Sequence, residues 1–240
     1  MLITAAKYIK IICRRVERLL PDISPAVANV SAERIRQRST RDFALDCPNI
    51  FLEAFLIRSR KISPALKKRA AQIKVLLMDV DGTMTDGGVM LLSQSDGSAL
   101  EIKTFDAHDG QGLTLAQTAN LRTGCITGRE SAALLRRAHE MRMEFIYMKQ
   151  PVKMPAYEEI LRKADVPDSA VAYIGDDLPD IPIMRRAGLA VAVGDAVPET
   201  KEAAHYTTTA RAGHGAVREA VELILRSKGI WEEMIDKARA

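Results

Sequence analysis

The segment KVLLMDVDGT, residues 74–83, is a continuous apolar run that ends in two carboxylates spaced two apart. A run without alternation reads as a strand buried on both faces, and such strands belong to parallel sheets with helices on either side. Side chains at i and i+2 share a face of a strand, so beyond the strand end Asp79 and Asp81 converge on one site, and Gly82 permits a tight exit. Two neighbouring carboxylates can divide proton work, one ionised and one protonated, when their surroundings separate them.

Outward from this strand the alternation repeats. Short apolar runs at TGCIT (123–127), EFIYM (144–148), AVAYIG (170–175) and LAVAVG (189–194) are separated by the helical patterns GQGLTLAQTAN, ESAALLRRAHEM, PAYEEILRKAD and LPDIPIMRRAG. That order predicts an α/β fold, a parallel sheet covered by helices on both faces. Upstream, SPALKKRAAQI (63–73) reads as a short helix with Ser63 as N-cap and Pro64 at its first position. GGVMLLSQSDGSALEIKTFD (87–106) interrupts the alternation with two strand-like runs around Ser95-Asp96-Gly97-Ser98, a β-hairpin that could stand over the strand ends as a small flap. GHGAVRE (213–219) reads as a glycine turn leading into a C-terminal helix that ends near Trp231.

Parallel sheets bind ligands at the carboxyl ends of their strands, and Asp79, Thr127 and Asp176 all stand there. Asp79 and Asp176, backed by Asp177, make an oxygen-rich site suited to Mg2+ with substrate phosphate and water. Asp177 or Asp180 could instead cap the helix that follows, and for Asp180 the capping and the functional readings stand even. Thr127-Gly128-Arg129 offers a hydroxyl and backbone N–H groups to a phosphate oxygen, and Lys153, just before PAYEEIL, can neutralise both phosphate and carboxylate. Asp79 to Thr127 is 48 residues and Thr127 to Lys153 is 26, which leaves no room for a large cap domain at either place.

The chain has 240 residues, 47% apolar and 28% charged, enough for a core without staples. Cys13, Cys47 and Cys125 form no CxxC pair, which excludes a disulfide scaffold and a zinc ribbon and fits a reducing, cytoplasmic setting. No apolar run reaches membrane-spanning length, and Lys7 and Lys10 spoil any secretory signal. The net charge of +4 is a balance of +10 over residues 1–74 against −6 over residues 75–240. The basic charge therefore lies mostly off the part that reads as a folded domain, which argues against a nucleic-acid partner. Residues 1–60 form a basic N-terminal extension with no readable role; a solvated arm and an anionic-surface or targeting segment both fit it.

The motifs DVDGTMTDGG, KTFDAHDGQGL, ITGRES, YIGDDLPDIPIM, GLAVAVGDAVPE and GHGAVRE, in this order across roughly residues 63–230, resemble the 3-deoxy-D-manno-octulosonate 8-phosphate phosphatase family of the haloacid dehalogenase superfamily. The resemblance implies a capless, Rossmann-like phosphatase domain over residues 61–240. It implies Asp79 as the nucleophile that becomes an aspartyl-phosphate, and Asp81 as general acid and then base. Mg2+ would be held by Asp79, the backbone carbonyl of Asp81, and Asp176, with Thr127 and Lys153 on the phosphoryl group. Asp106, Ala107, His108, Asp109 and Gly110 match a substrate loop, and Arg129 and Arg137 match arginines that face the sugar. The implied partners are a small sugar phosphate and three further copies of the chain, in a homotetramer with the hairpins at its centre and the GHGAVRE segment reaching a neighbouring site. The implied setting is cytoplasmic octulosonate and lipopolysaccharide biosynthesis.

Three positions depart from the family pattern. Thr114 and His108 stand where arginine occurs, and Ala212-Gly213-His214-Gly215 replaces GGRG. Each removes a fixed positive charge near the expected sugar carboxylate, so a nonulosonate 9-phosphate or another sugar phosphate is the alternative substrate. An assembly module acting through the basic arm is the non-enzyme alternative; the joint presence of Asp79, Asp81, Lys153 and Asp176 argues against it.

Overall fold

The computed structural model describes residues 62–239. The N-terminal extension, with Cys13 and Cys47, lies outside the described residues. Helix α1 (Pro64–Ala71) starts where Ser63 accepts the Leu66 amide at 3.2 Å, and it carries Lys68 and Arg69 in its last turn, where the helix dipole favours cations. Strand β1 (Val75–Met78) follows, with every side chain fully buried. Next come the hairpin strands β2 (Met90–Ser93) and β3 (Ala99–Ile102), helix α2 (Ala107–Thr118), β4 (Arg122–Ile126), α3 (Ala132–Glu140), β5 (Phe145–Tyr147) and α4 (Met154–Ala164). The chain continues through β6 (Val171–Gly175), the short α5 (Ile181–Met184), β7 (Leu189–Ala192), α6 (Pro198–Ala203), β8 (Tyr206–Thr207), α7 (Ala216–Ser227) and α8 (Trp231–Arg239).

Six strands form one sheet in the order β5-β4-β1-β6-β7-β8, and every pairing is parallel. β1 lies between β4 and β6, with Met78 level with Cys125 on one side and Ile174 on the other. All residues of β1, β6 and β7 are buried, as expected for a sheet covered on both faces. α7 packs against both α1 and α2, while α4, α5 and α6 form a contacting series. The hairpin is a separate two-stranded sheet closed by the Asp96-Gly97 turn, as its sequence predicts. No helix among the described residues is long and apolar enough to cross a membrane.

Three local expectations are corrected. Residues 107–110 are not a loop but the first turn of α2, because the Asp106 carboxylate accepts the amides of His108 and Asp109 and starts the helix early. LPDIPIM is a 3-10 turn (Leu178–Asp180) followed by the four-residue α5, since Pro179 and Pro182 have no N–H to donate to a longer helix. The C-terminal helix does not run to Trp231. It ends at Ser227, and α8 begins at Trp231, whose ring centroid lies 5.1 Å from the Arg218 guanidinium and 4.6 Å from that of Arg226.

The close approach of α2 and α7 depends on Gly112. A Cβ there would stand 2.9 Å from Arg218 Cδ and 3.1 Å from Arg218 Cα, so α2 and α7 touch backbone to backbone. Gly112→Ala should destabilise the domain by about 1–3 kcal/mol by forcing these helices apart, despite the better helix propensity of alanine. Urea denaturation checks this; a gain in stability would mean that the contact is slack.

Candidate active site

The three strand ends place the predicted groups together. Register sets Asp79 level with Ile126 and Gly175, so Thr127 and Asp176 each stand one residue further along. The Asp79 amide continues the ladder by donating to the Ile174 carbonyl at 2.9 Å, which fixes the carboxylate at the mouth of the sheet. Gly82 turns the chain out at φ +88°, and a Cβ there would run into the Asp176 carboxylate. Thr83 Oγ1 donates to Asp176 Oδ1 at 3.0 Å, tying the first motif to the last.

Lys153, one residue before α4, is buried and reaches across to two acids. Its Nζ lies 2.6 Å from Asp79 Oδ1 and 2.7 Å from Asp180 Oδ1. Burial works against its charge, but Asp79 and Asp180 outweigh burial and hold its pKa above the ordinary lysine value. Asp180 is saturated. Its Oδ1 also accepts the Tyr173 hydroxyl at 2.8 Å, and its Oδ2 accepts the amides of Asp176 and Asp177 at 3.0 and 3.3 Å. That uses all four lone-pair directions of a carboxylate.

Asp79, Asp176 and Asp180 present oxygens within 4.8 Å of one another. Desolvation pushes Asp79 up to about 6, with Lys153 opposing it and the Asp180 charge adding to it. Desolvation, then the charges of Asp79 and Asp180, push Asp176 up to about 8. Buried acids that repel one another are what a divalent cation relieves, and hard oxygen donors suit Mg2+. With Asp180 saturated, Asp79 and Asp176 are the side chains able to hold such an ion. No described group donates a hydrogen bond to the Asp81 backbone carbonyl, so it too is available.

Thr127 is buried, and its Oγ1 accepts the Arg129 amide at 3.3 Å. Arg129 is about half exposed, with Nε 3.9 Å from Asp81 Oδ2 and Nη2 3.4 Å from Glu101 Oε1. The residues expected to face the sugar are more dispersed. Asp106 caps α2, and Ala107 and His108 are exposed on its first turn. Asp109 faces inward, and its two oxygens accept the Arg218 amide at 2.7 Å and the Gly215 amide at 3.2 Å, which pins α7 to α2. Burial pushes its pKa up against those amides. Gly110 and Arg137 line a cavity of about 10 Å³, about one water, beside Asp106 and Phe105. Arg137 is only partly exposed and lies 6.0 Å above the Phe105 ring, so it is not on a solvated face. The AGHG turn packs within its own chain, with the Gly213 amide donating to the Thr83 carbonyl at 3.1 Å.

Four contributors lie outside the sequence reading of the site. Thr83 lies inside the DVDGT motif, and Tyr173 lies inside the apolar run AVAYIG, where nothing in the sequence singles it out. Lys103 and Glu101, at the end of the hairpin, pair with Asp81 and Arg129, and Lys103 was legible only as the first letter of KTFDAHDG.

A parallel sheet with a buried Asp–Lys pair and a second acid at its carboxyl edge defines a haloacid dehalogenase-like hydrolase, and the model of that family matches residues 126–220. A curated relative from Yersinia pestis, a 3-deoxy-D-manno-octulosonate 8-phosphate phosphatase, is 42% identical over 158 residues, which are 66% of this chain and 82% of the relative. Its counterpart from Salmonella typhimurium is 36% identical over 72% of this chain and 89% of the relative. A solved phosphatase of the same name from Moraxella catarrhalis, in complex with magnesium ion, phosphate ion and KDO molecule, is 36% identical with a TM-score of 0.67, covering 72% of this chain and 97% of that one. The chain belongs to the 3-deoxy-D-manno-octulosonate 8-phosphate phosphatase family and is a phosphoric monoester hydrolase.

Asp79 and Asp176 are more basic in the folded chain than at the ordinary aspartate value of 3.8. Their contribution to stability is therefore full below about pH 4 and is lost as pH rises through about 6 and about 8. In chelator, Tm should fall between about pH 5 and about pH 9, and saturating Mg2+ should flatten the fall. A metal-free Tm that does not fall more steeply than that of Asp176→Asn would contradict the assignment.

Proposed function

We propose that this chain hydrolyses 3-deoxy-D-manno-octulosonate 8-phosphate to the free sugar acid and phosphate, with Mg2+, through an aspartyl-phosphate on Asp79. The observation that carries this is the buried Asp79–Lys153 pair, steadied by Asp180, beside a second acid, Asp176, that no lysine or arginine among the described residues pairs with. Lys153 shields Asp79 and offers positive charge to an incoming phosphoryl group, and the Thr127 hydroxyl stands one residue beyond the level of Asp79 on the neighbouring strand. An Asp79 oxygen attacks phosphorus as the ester P–O bond breaks, and the Asp81 carboxyl gives its proton to the departing sugar oxygen. Water then attacks the phosphorus, its proton passes to Asp81, and Asp79 is released with phosphate. Bound Mg2+, held by Asp79, Asp176 and the Asp81 carbonyl, would neutralise charge on the transferring phosphoryl group.

Arg129 is the group best placed to meet the sugar: it is exposed and adjacent to Asp81, and its guanidinium can take a carboxylate bidentately. Asp106, Ala107, His108, Gly110 and Arg137 are the remaining substrate-side candidates; Asp109 would act by holding the scaffold behind them. The proposal includes a cytoplasmic setting, which the buried free thiol of Cys125 suits.

The same reading includes a homotetramer built on the hairpins. Val89, Met90, Leu91, Leu92 and Leu100 are each more than half exposed, and a two-stranded sheet has no hydrophobic cover of its own. Further copies of the chain would supply that cover.

Phosphate release from 3-deoxy-D-manno-octulosonate 8-phosphate should exceed that from nonulosonate 9-phosphates and hexose phosphates, and Asp79→Asn should lower it about 10³-fold or more. Release from the nonulosonates alone would keep the chemistry and move the substrate. Light scattering should give a tetramer for the wild type and smaller species for Leu91→Glu; an unchanged mass would remove the hairpin from the assembly.

A further inference from the structure

We propose that Lys103 is the positioning residue for Asp81: fixed to the hairpin stem and steadied by Glu101, it occupies Oδ1 of the Asp81 carboxylate and reserves Oδ2 for proton transfer. The inference rests on the phosphatase reading and adds to it the source of the acid's geometry.

The Lys103 side chain is 3% exposed, and its ammonium is turned to two carboxylates rather than to solvent. Its ammonium pairs with Asp81 Oδ1 and lies 3.4 Å from Glu101 Oε1. Glu101 in turn lies 3.4 Å from Arg129, whose Nε is 3.9 Å from the other Asp81 oxygen. The four groups form a ring of alternating charge, Asp81, Lys103, Glu101 and Arg129. Burial works against the Glu101 carboxylate, but the Ser131 hydroxyl, Lys103 and Arg129 hold it below the ordinary range. The ring is unequal in strength. Lys103 is enclosed and in direct contact with Asp81, whereas Arg129 is 45% exposed and beyond hydrogen-bond distance. Arg129 can therefore swing to a substrate carboxylate without freeing Asp81, while Lys103 stays.

The consequence is chemical. A carboxyl side chain can rotate and present either oxygen, and an acid catalyst loses efficiency in every misdirected rotamer. With Oδ1 committed to an ammonium donor, Oδ2 is the oxygen left to give or take a proton. In the first half-reaction that proton passes from Oδ2 to the ester oxygen as its bond to phosphorus breaks. In the second, Oδ2 takes the proton of the attacking water. Lys103 touches neither the phosphorus nor the leaving oxygen in this scheme; it acts through Asp81.

The test is the dependence of kcat/KM on leaving-group acidity across simple phosphate monoesters, from p-nitrophenyl phosphate to alkyl phosphates, in the Mg2+-loaded full chain. General acid help matters most for poor leaving groups and is worth about 10²–10⁴-fold when intact. Lys103→Met should lower kcat/KM for the alkyl esters about tenfold or more and that for p-nitrophenyl phosphate much less, so the dependence steepens. Lys103→Arg should return it toward the wild-type slope. These esters carry no sugar, so a contact between Lys103 and the sugar acid cannot produce the change. An unaltered slope in Lys103→Met overturns the proposal, including the case where only KM for the sugar phosphate rises. If Lys103→Met melts early, the slope of Lys103→Arg beside that of Glu101→Gln decides instead: the proposal requires a near-normal slope in the first and a steeper one in the second. A wild-type chain that releases phosphate neither from these esters nor from 3-deoxy-D-manno-octulosonate 8-phosphate removes the phosphatase reading, and the inference with it.

Discussion

One buried ammonium makes this site possible. Asp79, Asp176 and Asp180 crowd their oxygens within 4.8 Å at the edge of a dry sheet, where three negative charges would repel strongly. Lys153 lies between Asp79 and Asp180 and remains charged because the two acids outweigh its burial. Its own position depends on Asp180, and the position of Asp180 depends on two amides of the 175–178 turn and on the Tyr173 hydroxyl from within β6. The lysine is therefore oriented jointly by the sheet, through Tyr173, and by the turn that follows β6. Of these three acids Asp176 has no ammonium beside it among the described residues, and it is raised further than Asp79, to about 8.

The hairpin presents a second constraint. Its outer part exposes leucines and a methionine, while its inner end buries the ammonium of Lys103. The two features pull in different directions unless something fixes the hairpin. A free two-stranded ribbon is marginal in water, and its movement would drag Lys103 away from Asp81. A covering partner that buries the apolar face would thus also steady the acid, so assembly and proton transfer would share one mechanical element.

The α/β class, the central strand, the hairpin and the three strand-end groups were legible because each rests on a local pattern: an apolar run, a turn dipeptide, or a residue type at a strand end. The early start of α2 was not, because it depends on whether the Asp106 carboxylate turns back onto two amides, a choice made by the packing of α2 on α7. Asp109 shows the same limit. Its letter sits in a substrate motif, but its oxygens cap a helix that begins more than a hundred residues later. Lys103 was hidden for the opposite reason: a lysine near a strand end reads as solvated, and only the closure of the hairpin over Asp81 buries it.

Asp176 and Asp180, four residues apart in one acidic run, show why spacing alone could not assign the cation. Sequence reading left Asp180 balanced between capping and function, and hydrogen-bond accounting resolves the balance. A carboxylate that already accepts an ammonium, a phenol and two amides has nothing left to offer an ion, whereas Asp176 accepts only the Thr83 hydroxyl among the donors described. The fully bonded acid is the rigid one and sets the direction of Lys153; the under-bonded acid carries the raised pKa and the capacity to bind. Rigidity and reactivity are thus divided between neighbours by the number of donors each has met, and that number is set by the turn at Asp177, not by the identity of the residues.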